Sequence, residues 1–236
     1  MPLKGATQRL LIEVLLPVTN YFYEICPLMT ATITTGTLPV MESFYTLQGE
    51  GMHQGKAAYF IRLGGCDVGC VWCDVKDSWD AGRHPQISIE TIVEKALEET
   101  NRQPSIAVVT GGEPLMHDLK ALTAALKAAG FETNVETSGS SPLSGHWDWV
   151  CLSPKKFKAP LPEVVPFADE LKVVVFNKSD FEWAEKYAAL VKPGCKLYLQ
   201  PEWDKEAIVT PLLVDYIKLH PQWQLSLQVH KYINVP

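Results

Sequence analysis

Cys66, Cys70 and Cys73 fall within one eight-residue stretch, Cys66-Asp67-Val68-Gly69-Cys70-Val71-Trp72-Cys73, directly after an apolar run and two glycines. Thiolates at this spacing bind metal. Clusters held wholly by protein use four cysteines, so a tight triplet without a nearby fourth points to an iron-sulfur cube with one iron left open for a small molecule. Cysteine triplets also build structural zinc sites when a histidine supplies the fourth ligand. His53 and His84 are the nearest candidates, and neither stands in a CxxH or HxxxC arrangement, while Cys26, Cys151 and Cys195 are scattered singly. A zinc-binding interaction module remains the non-enzymatic alternative. Disulfides fit less well: no convincing secretory signal is evident, and clustered thiols in a reducing, cytoplasmic setting do metal or redox work.

The elements around the triplet alternate between strand-like and helix-like segments from Val40 onward. The pattern predicts strands at 57–63, 105–109, 132–136, 149–152, 170–175, 196–199 and 224–229. It predicts helices at 88–101, 116–129, 179–190 and 205–219. Ser88 is placed to cap the first helix, with Ile89, Ile92, Val93, Ala96 and Leu97 on one face. Gly130 suits the left-handed position just past the second. Repeated strand-helix-strand units of this length make a parallel sheet. The expected fold is α/β, an open doubly wound sheet or a partial, TIM-like barrel of parallel strands with helices outside.

Parallel sheets gather ligands at the carboxyl ends of their strands, and the unusual residues fall there. The cysteine loop follows the first strand and Thr110-Gly111-Gly112-Glu113-Pro114 the second. Glu136-Thr137-Ser138-Gly139 ends the third, Ser153-Pro154-Lys155 follows the fourth, and Gln200-Pro201 ends the sixth. Each is a turn if read alone; together they describe one rim.

Composition narrows the partners. The chain has 236 residues, 47% hydrophobic and 20% charged, enough for one good-sized core. A net charge of -6 and a pI near 5.5 argue against a dedicated nucleic-acid or anionic-membrane surface, which rewards dense Lys and Arg. The expected partner is a small molecule. Residues 1–39 read differently: the apolar stretch near Leu10 to Leu16 is broken by Glu13 and Pro17, too short to span a bilayer. A disordered extension, or a start placed upstream of Met29 or Met41, is the expectation there, leaving 40–236 as the folded domain.

The Cys66-x3-Cys70-x2-Cys73 motif, with Trp72 before its last cysteine, and Gly111-Gly112-Glu113-Pro114 resemble the radical S-adenosylmethionine superfamily. Within it, the run Glu42 to Gly51 (ESFYTLQGEG), Phe60-Ile61-Arg62-Leu63 and Gln228-Val229-His230-Lys231-Tyr232 are similar to the 7-carboxy-7-deazaguanine synthases, over about Val40 to Pro236. The resemblance implies a [4Fe-4S] cluster on the three cysteines and S-adenosylmethionine on its open iron. Trp72 through its backbone, Gly112, Glu113, Ser138, Ser153, Pro154, Lys155 and Gln200 would contact that cofactor, Glu113 pairing with its ammonium. The implied substrate is 6-carboxy-5,6,7,8-tetrahydropterin, held by Leu47, Gln48, Gly49, Glu50, Arg62, Thr110 and the terminal carboxylate of Pro236. Glu50 and Gln48 suit the pterin's N–H edge, and Arg62 suits its carboxylate.

The implied reaction contracts the pterin ring and releases ammonia after a 5'-deoxyadenosyl radical removes hydrogen from C6. It supplies queuosine, draws electrons from a flavodoxin- or ferredoxin-type donor, and runs in a homodimer. One position departs from the family pattern: Val75 stands where a threonine hydroxyl commonly helps to bind Mg2+, and valine offers no oxygen to a cation that demands six. Asp77 or Ser78 would have to substitute, or the metal requirement relax. A glycyl-radical activase of the same superfamily is the alternative enzyme, and the Leu47-to-Gly51 signature speaks against it.

Overall fold

A computed structural model describes residues 36–236. The chain enters through β1 (Thr37–Leu47), returns along β2 (Ala57–Leu63) and reaches β3 (Gln86–Ser88), from which α1 (Ile89–Glu99) departs. Then follow β4 (Ile106–Gly111), α2 (Lys120–Ala128), β5 (Glu132–Thr137), β6 (Trp149–Leu152) and β7 (Glu170–Val175). The chain closes with α3 (Ser179–Ala188), β8 (Lys196–Pro201), α4 (Glu206–Leu219), β9 (Trp223–Leu225) and α5 (Val229–Ile233).

Among the described residues these strands form one sheet in the order β3-β1-β2-β4-β5-β6-β7-β8-β9. All neighbours from β2 to β9 run parallel, and the end strands do not pair, so the sheet is the expected barrel left partial. β1 and β3 add an antiparallel edge that the strand-helix alternation did not foresee. Thr37–Pro39 pair with Gln86–Ser88, so the first strand begins ahead of Val40. The expectation for the preceding stretch lies, for residues 1–35, outside the described residues. No helix among the described residues is long and apolar enough to cross a membrane.

Period-two alternation decides what faces the site, because successive strand side chains point to opposite faces. In β7, Leu171, Val173 and Val175 join the buried cluster shared with α3 and α4; Lys172 and Val174 face a cavity on the other side. In β2, Tyr59, Ile61 and Leu63 pack with α1 and α2, leaving Phe60 and Arg62 on the cavity side. Helix burial follows the same logic. Ile89, Ile92 and Ala96 of α1 are buried at helical spacing, and Ser88 Oγ caps its first turn by accepting from Thr91 N at 3.2 Å. Full burial of each Ile or Leu contributes about 1.5–3 kcal/mol.

Two expected elements differ. The second helix starts at Lys120 rather than 116, because Pro114–Met116 form a separate 3-10 turn whose Leu115 N–H is taken by Glu113. The strand expected over 224–229 stops at Leu225. Ser226 ties Gly51 N to Gln200 Oε1, and Val229 N then donates to Gly49 O, turning the chain into α5 across the end of β1.

Candidate active site

The carboxyl ends of the parallel strands surround a cavity of about 280 Å³. Its cysteine wall rests on a clamp between the exits of β2 and β4. Gly112 N donates to Leu63 O (2.9 Å) and Glu113 N to Gly65 O (2.8 Å). Side chains cannot fit there: a Cβ on Gly111 would lie 2.2 Å from Leu63 O, and one on Gly112 2.2 Å from Gly65 O. Gly111 also sits at φ +123°, which costs an L-residue further strain. Pinned by this clamp and by Cys66 N→Trp79 O (3.0 Å), the loop directs Cys66, Cys70 and Cys73 to the same cavity. All three are free thiols.

Burial pushes the Cys66 thiol up, and lifts Cys70 to about 11 despite the opposing Lys155 charge. Metal binding there must displace protons. Among the described residues no three His, Cys, Asp or Glu side chains converge as ligands of a single ion, which a mononuclear zinc site requires. A cube takes one thiolate per iron, and the three thiols that line this cavity are the residues that would hold a [4Fe-4S] group.

Next to this wall, Glu113 is 1% exposed and engaged within the chain. Its Oε1 accepts from Leu115 N (3.1 Å) and Thr137 Oγ1 (2.5 Å), its Oε2 from Ser138 N (2.7 Å) and Ser138 Oγ (2.5 Å). The carboxylate thereby pins the exit of β5 to that of β4, and its four contacts compete with the expected ammonium partner. Ser153 Oγ accepts from Lys155 Nζ (2.5 Å), whose ammonium also stands 5.5 Å from the Trp72 ring centre. Burial pulls the Lys155 ammonium below its ordinary value. Gln200 is buried and anchored to Ser226 at 2.8 Å.

The floor is a polar ring. Gln48 Nε2 donates to Glu136 Oε1 (2.9 Å), and Gln48 Oε1 accepts from Glu50 N (3.1 Å). Lys172 Nζ donates to Glu50 Oε2 (2.5 Å) and reaches Glu136 Oε2 (3.4 Å), while Gln228 Nε2 donates to Glu50 Oε1 (3.0 Å). Burial alone would lift the Glu50 carboxyl; Lys172 by charge and hydrogen bond, helped by Gln228, overcomes it and holds the group at about 2. Burial likewise opposes the Lys172 charge, and Glu136 and Glu50 outweigh it, leaving that ammonium well above its ordinary value. His230 packs its ring on Gly49, and burial lowers its pKa.

Leu47, Gln48, Gly49, Glu50, Arg62, Thr110, Gly112, Glu113, Ser138, Ser153, Lys155, Gln200 and Pro236 all line this one cavity with Trp72 and the three cysteines. Pro154 does not line it; its carbonyl accepts from Trp183 Nε1 (3.3 Å) on α3. Arg62 meets a protein partner the sequence reading did not foresee: its Nε lies 2.6 Å from Glu42 Oε1 on the neighbouring strand. Thr46 Oγ1 reaches Pro236 O at 3.4 Å, which brings the last residue to the cavity mouth.

The residues offered for Mg2+ do not form an oxygen cage. Val75 O already accepts from Ser78 N (3.1 Å) and Ser78 Oγ (2.6 Å), and Asp77 lies outside the cavity, 3.8 Å from Arg83. Sequence reasoning missed Lys172, Glu136 as a site residue, Gln228 and His230. Lys172 had a signal: a lone ammonium between Leu171 and Val173 in an otherwise apolar strand needs buried anions. Gln228 and His230 had only their place in the terminal motif.

An open parallel sheet whose rim brings three thiols to a small-molecule cavity defines the class. Residues 60–152 match the family model described as Radical SAM superfamily, and the chain is an enzyme of the radical SAM lyase type, a family that implies a [4Fe-4S] cluster and S-adenosylmethionine. A 7-carboxy-7-deazaguanine synthase of Flavobacterium psychrophilum is 54% identical over 199 residues, covering 84% of this chain and 93% of the relative. One of Synechocystis sp. is 48% identical, covering 86% and 96%. The crystal structure of QueE from Escherichia coli aligns with a TM-score of 0.73 at 32% identity, over 82% of this chain and 95% of that one. The chain belongs to the 7-carboxy-7-deazaguanine synthase family.

Proposed function

We propose that this cavity converts 6-carboxy-5,6,7,8-tetrahydropterin to 7-carboxy-7-deazaguanine with release of ammonia, supplying queuosine synthesis in the cytoplasm. The observation that carries the reading is a single cavity bounded by Cys66, Cys70 and Cys73 and floored by Gln48, Glu50, Glu136 and Lys172. When bound, the cluster and S-adenosylmethionine supply a radical able to remove hydrogen from carbon. The residues of the chain bind and orient. Glu50 accepts from the N–H groups of the aminopyrimidinone edge. Arg62, with its Nε on Glu42, turns its two Nη groups to the substrate carboxylate in the planar fork that suits such an anion. Ser138, Ser153, Lys155 and Gln200 line the cofactor side, and the backbone of Gly112 approaches without a side chain.

Fixing the target carbon beside the cofactor raises its effective concentration and keeps competing hydrogen donors out. Val75, Asp77 and Ser78 do not fit a magnesium cage, so no step here depends on that ion. A one-electron donor of the flavodoxin or ferredoxin type and a second copy of the chain complete the proposal.

The test is anaerobic reconstitution with iron and sulfide, then incubation with S-adenosylmethionine, reductant and the tetrahydropterin. Product and ammonia in equal amounts are expected; an intact brown chromophore with no product refutes the substrate. Arg62→Ala should keep the chromophore and lose turnover, and normal turnover in that variant overturns the role of Arg62.

A further inference from the structure

We propose that Lys172 is a positioning residue of this site: its ammonium, set between Glu50 and Glu136, holds both carboxylates as hydrogen-bond acceptors aimed at the N–H edge of the substrate. The inference rests on reading Gln48 and Glu50 as the contacts to that edge. Lys172 lies mid-strand in β7 with its side chain 4% exposed, against 14% for Glu50 and 23% for Glu136. The two carboxylates come from segments far apart in the chain, and Lys172 is the cation that touches both. The amide groups of Gln48 and Gln228 also donate to these carboxylates. With those donors turned inward, the ring offers its ligand acceptors, which suits an edge made of N–H groups and repels one made of carbonyls.

The surrounding titratable groups leave this task to Lys172. Below the ring, Glu170 on β7 and Cys151 on β6 are both raised, burial being the main cause. At the side, burial lowers both Lys155 and His230. Without Lys172, burial would lift Glu50 toward its protonated form, which donates where the ligand also donates. The expected variant is therefore acid-sensitive. Buried charge pairs serve stability as well as function, so the deciding measurement has to read the ligand.

The experiment uses reconstituted holoenzyme without reductant and measures tetrahydropterin binding by calorimetry from pH 5 to 8, with KM and kcat taken separately. Lys172→Met should weaken binding and raise KM by about 30-fold or more at pH 7, the effect of breaking a buried charge pair. It should change kcat far less, and its affinity should improve as pH rises. Adding Glu136→Gln to Lys172→Met removes the surplus charge and should recover part of the affinity. A folded Lys172→Met protein with normal chromophore, KM and pH profile overturns the proposal. Should neither variant fold, Glu136→Gln alone decides: loss of one of the two anions that Lys172 bridges should weaken binding severalfold, and unchanged affinity overturns the proposal. Wild-type holoenzyme that fails to bind the pterin at any pH refutes the substrate reading instead.

Discussion

The three thiols of the cavity come from one eight-residue stretch, whereas the polar floor is assembled from residues 48, 50, 136, 172 and 228. The thiols are free of disulfides, and burial raises both Cys66 and Cys70, so a metal that binds them displaces protons. The floor groups satisfy one another. A region waiting for an external group can be changed with little effect on folding. A region closed by its own hydrogen bonds carries stability and recognition together.

The sharpest break of that comparison is Cys70→Ser. It should abolish the iron-sulfur absorbance and reduce turnover to background, while the urea-unfolding free energy of the metal-free protein changes by no more than about 1 kcal/mol, as for a buried near-isostere. A large loss of stability would show that the thiol wall is part of the core. Gly112→Ala joins the two effects. Its Cβ would fall 2.2 Å from Gly65 O and 2.9 Å from Cys66 Cβ, so urea unfolding should show a loss of about 3 kcal/mol, in the range of overpacking, together with poor cluster incorporation.

Acid titration tests the floor alone. Glu50 sits at about 2 in the folded protein against an ordinary 4.5. Its depressed value contributes stability that is complete above 4.5 and is lost as pH falls toward 2, about 3 kcal/mol in all. Unfolding measured across that window should show the slope. Cys70→Ser should retain it and Lys172→Met should lose it. The smallest effect belongs to Glu42→Gln, which leaves Arg62 without a charged partner at a half-exposed position. Stability should change by less than about 1 kcal/mol, and a larger change would mean that the pair is structural rather than a support for the Arg62 fork.

Legibility in the sequence followed the same division. The apolar runs of β2, β6 and β7 could be read to the residue, because buried parallel strands are continuous and short. So could the cysteine spacing and the Gly-Gly-Glu exit. β1 was recognised only as a motif: its run Glu42-Ser43-Phe44-Tyr45-Thr46 lies half-exposed at an antiparallel edge, where alternation is blurred. Gln86–Ser88 is too short to announce itself. The ring on the floor depends on pairings 88 and 122 residues apart in sequence, which no local pattern encodes. Glu113 was legible as a carboxylate beside a glycine turn, but neither its burial nor its role as the clasp of Thr137 and Ser138 was.

The place of Gln228 gives the molecule a timetable. During synthesis the thiol loop and its glycine clamp leave the ribosome long before Gln228 and the His230 ring that lodges against Gly49. In the order of synthesis the residues that would hold the inorganic core therefore come well before the amide donor that closes the seat for the substrate.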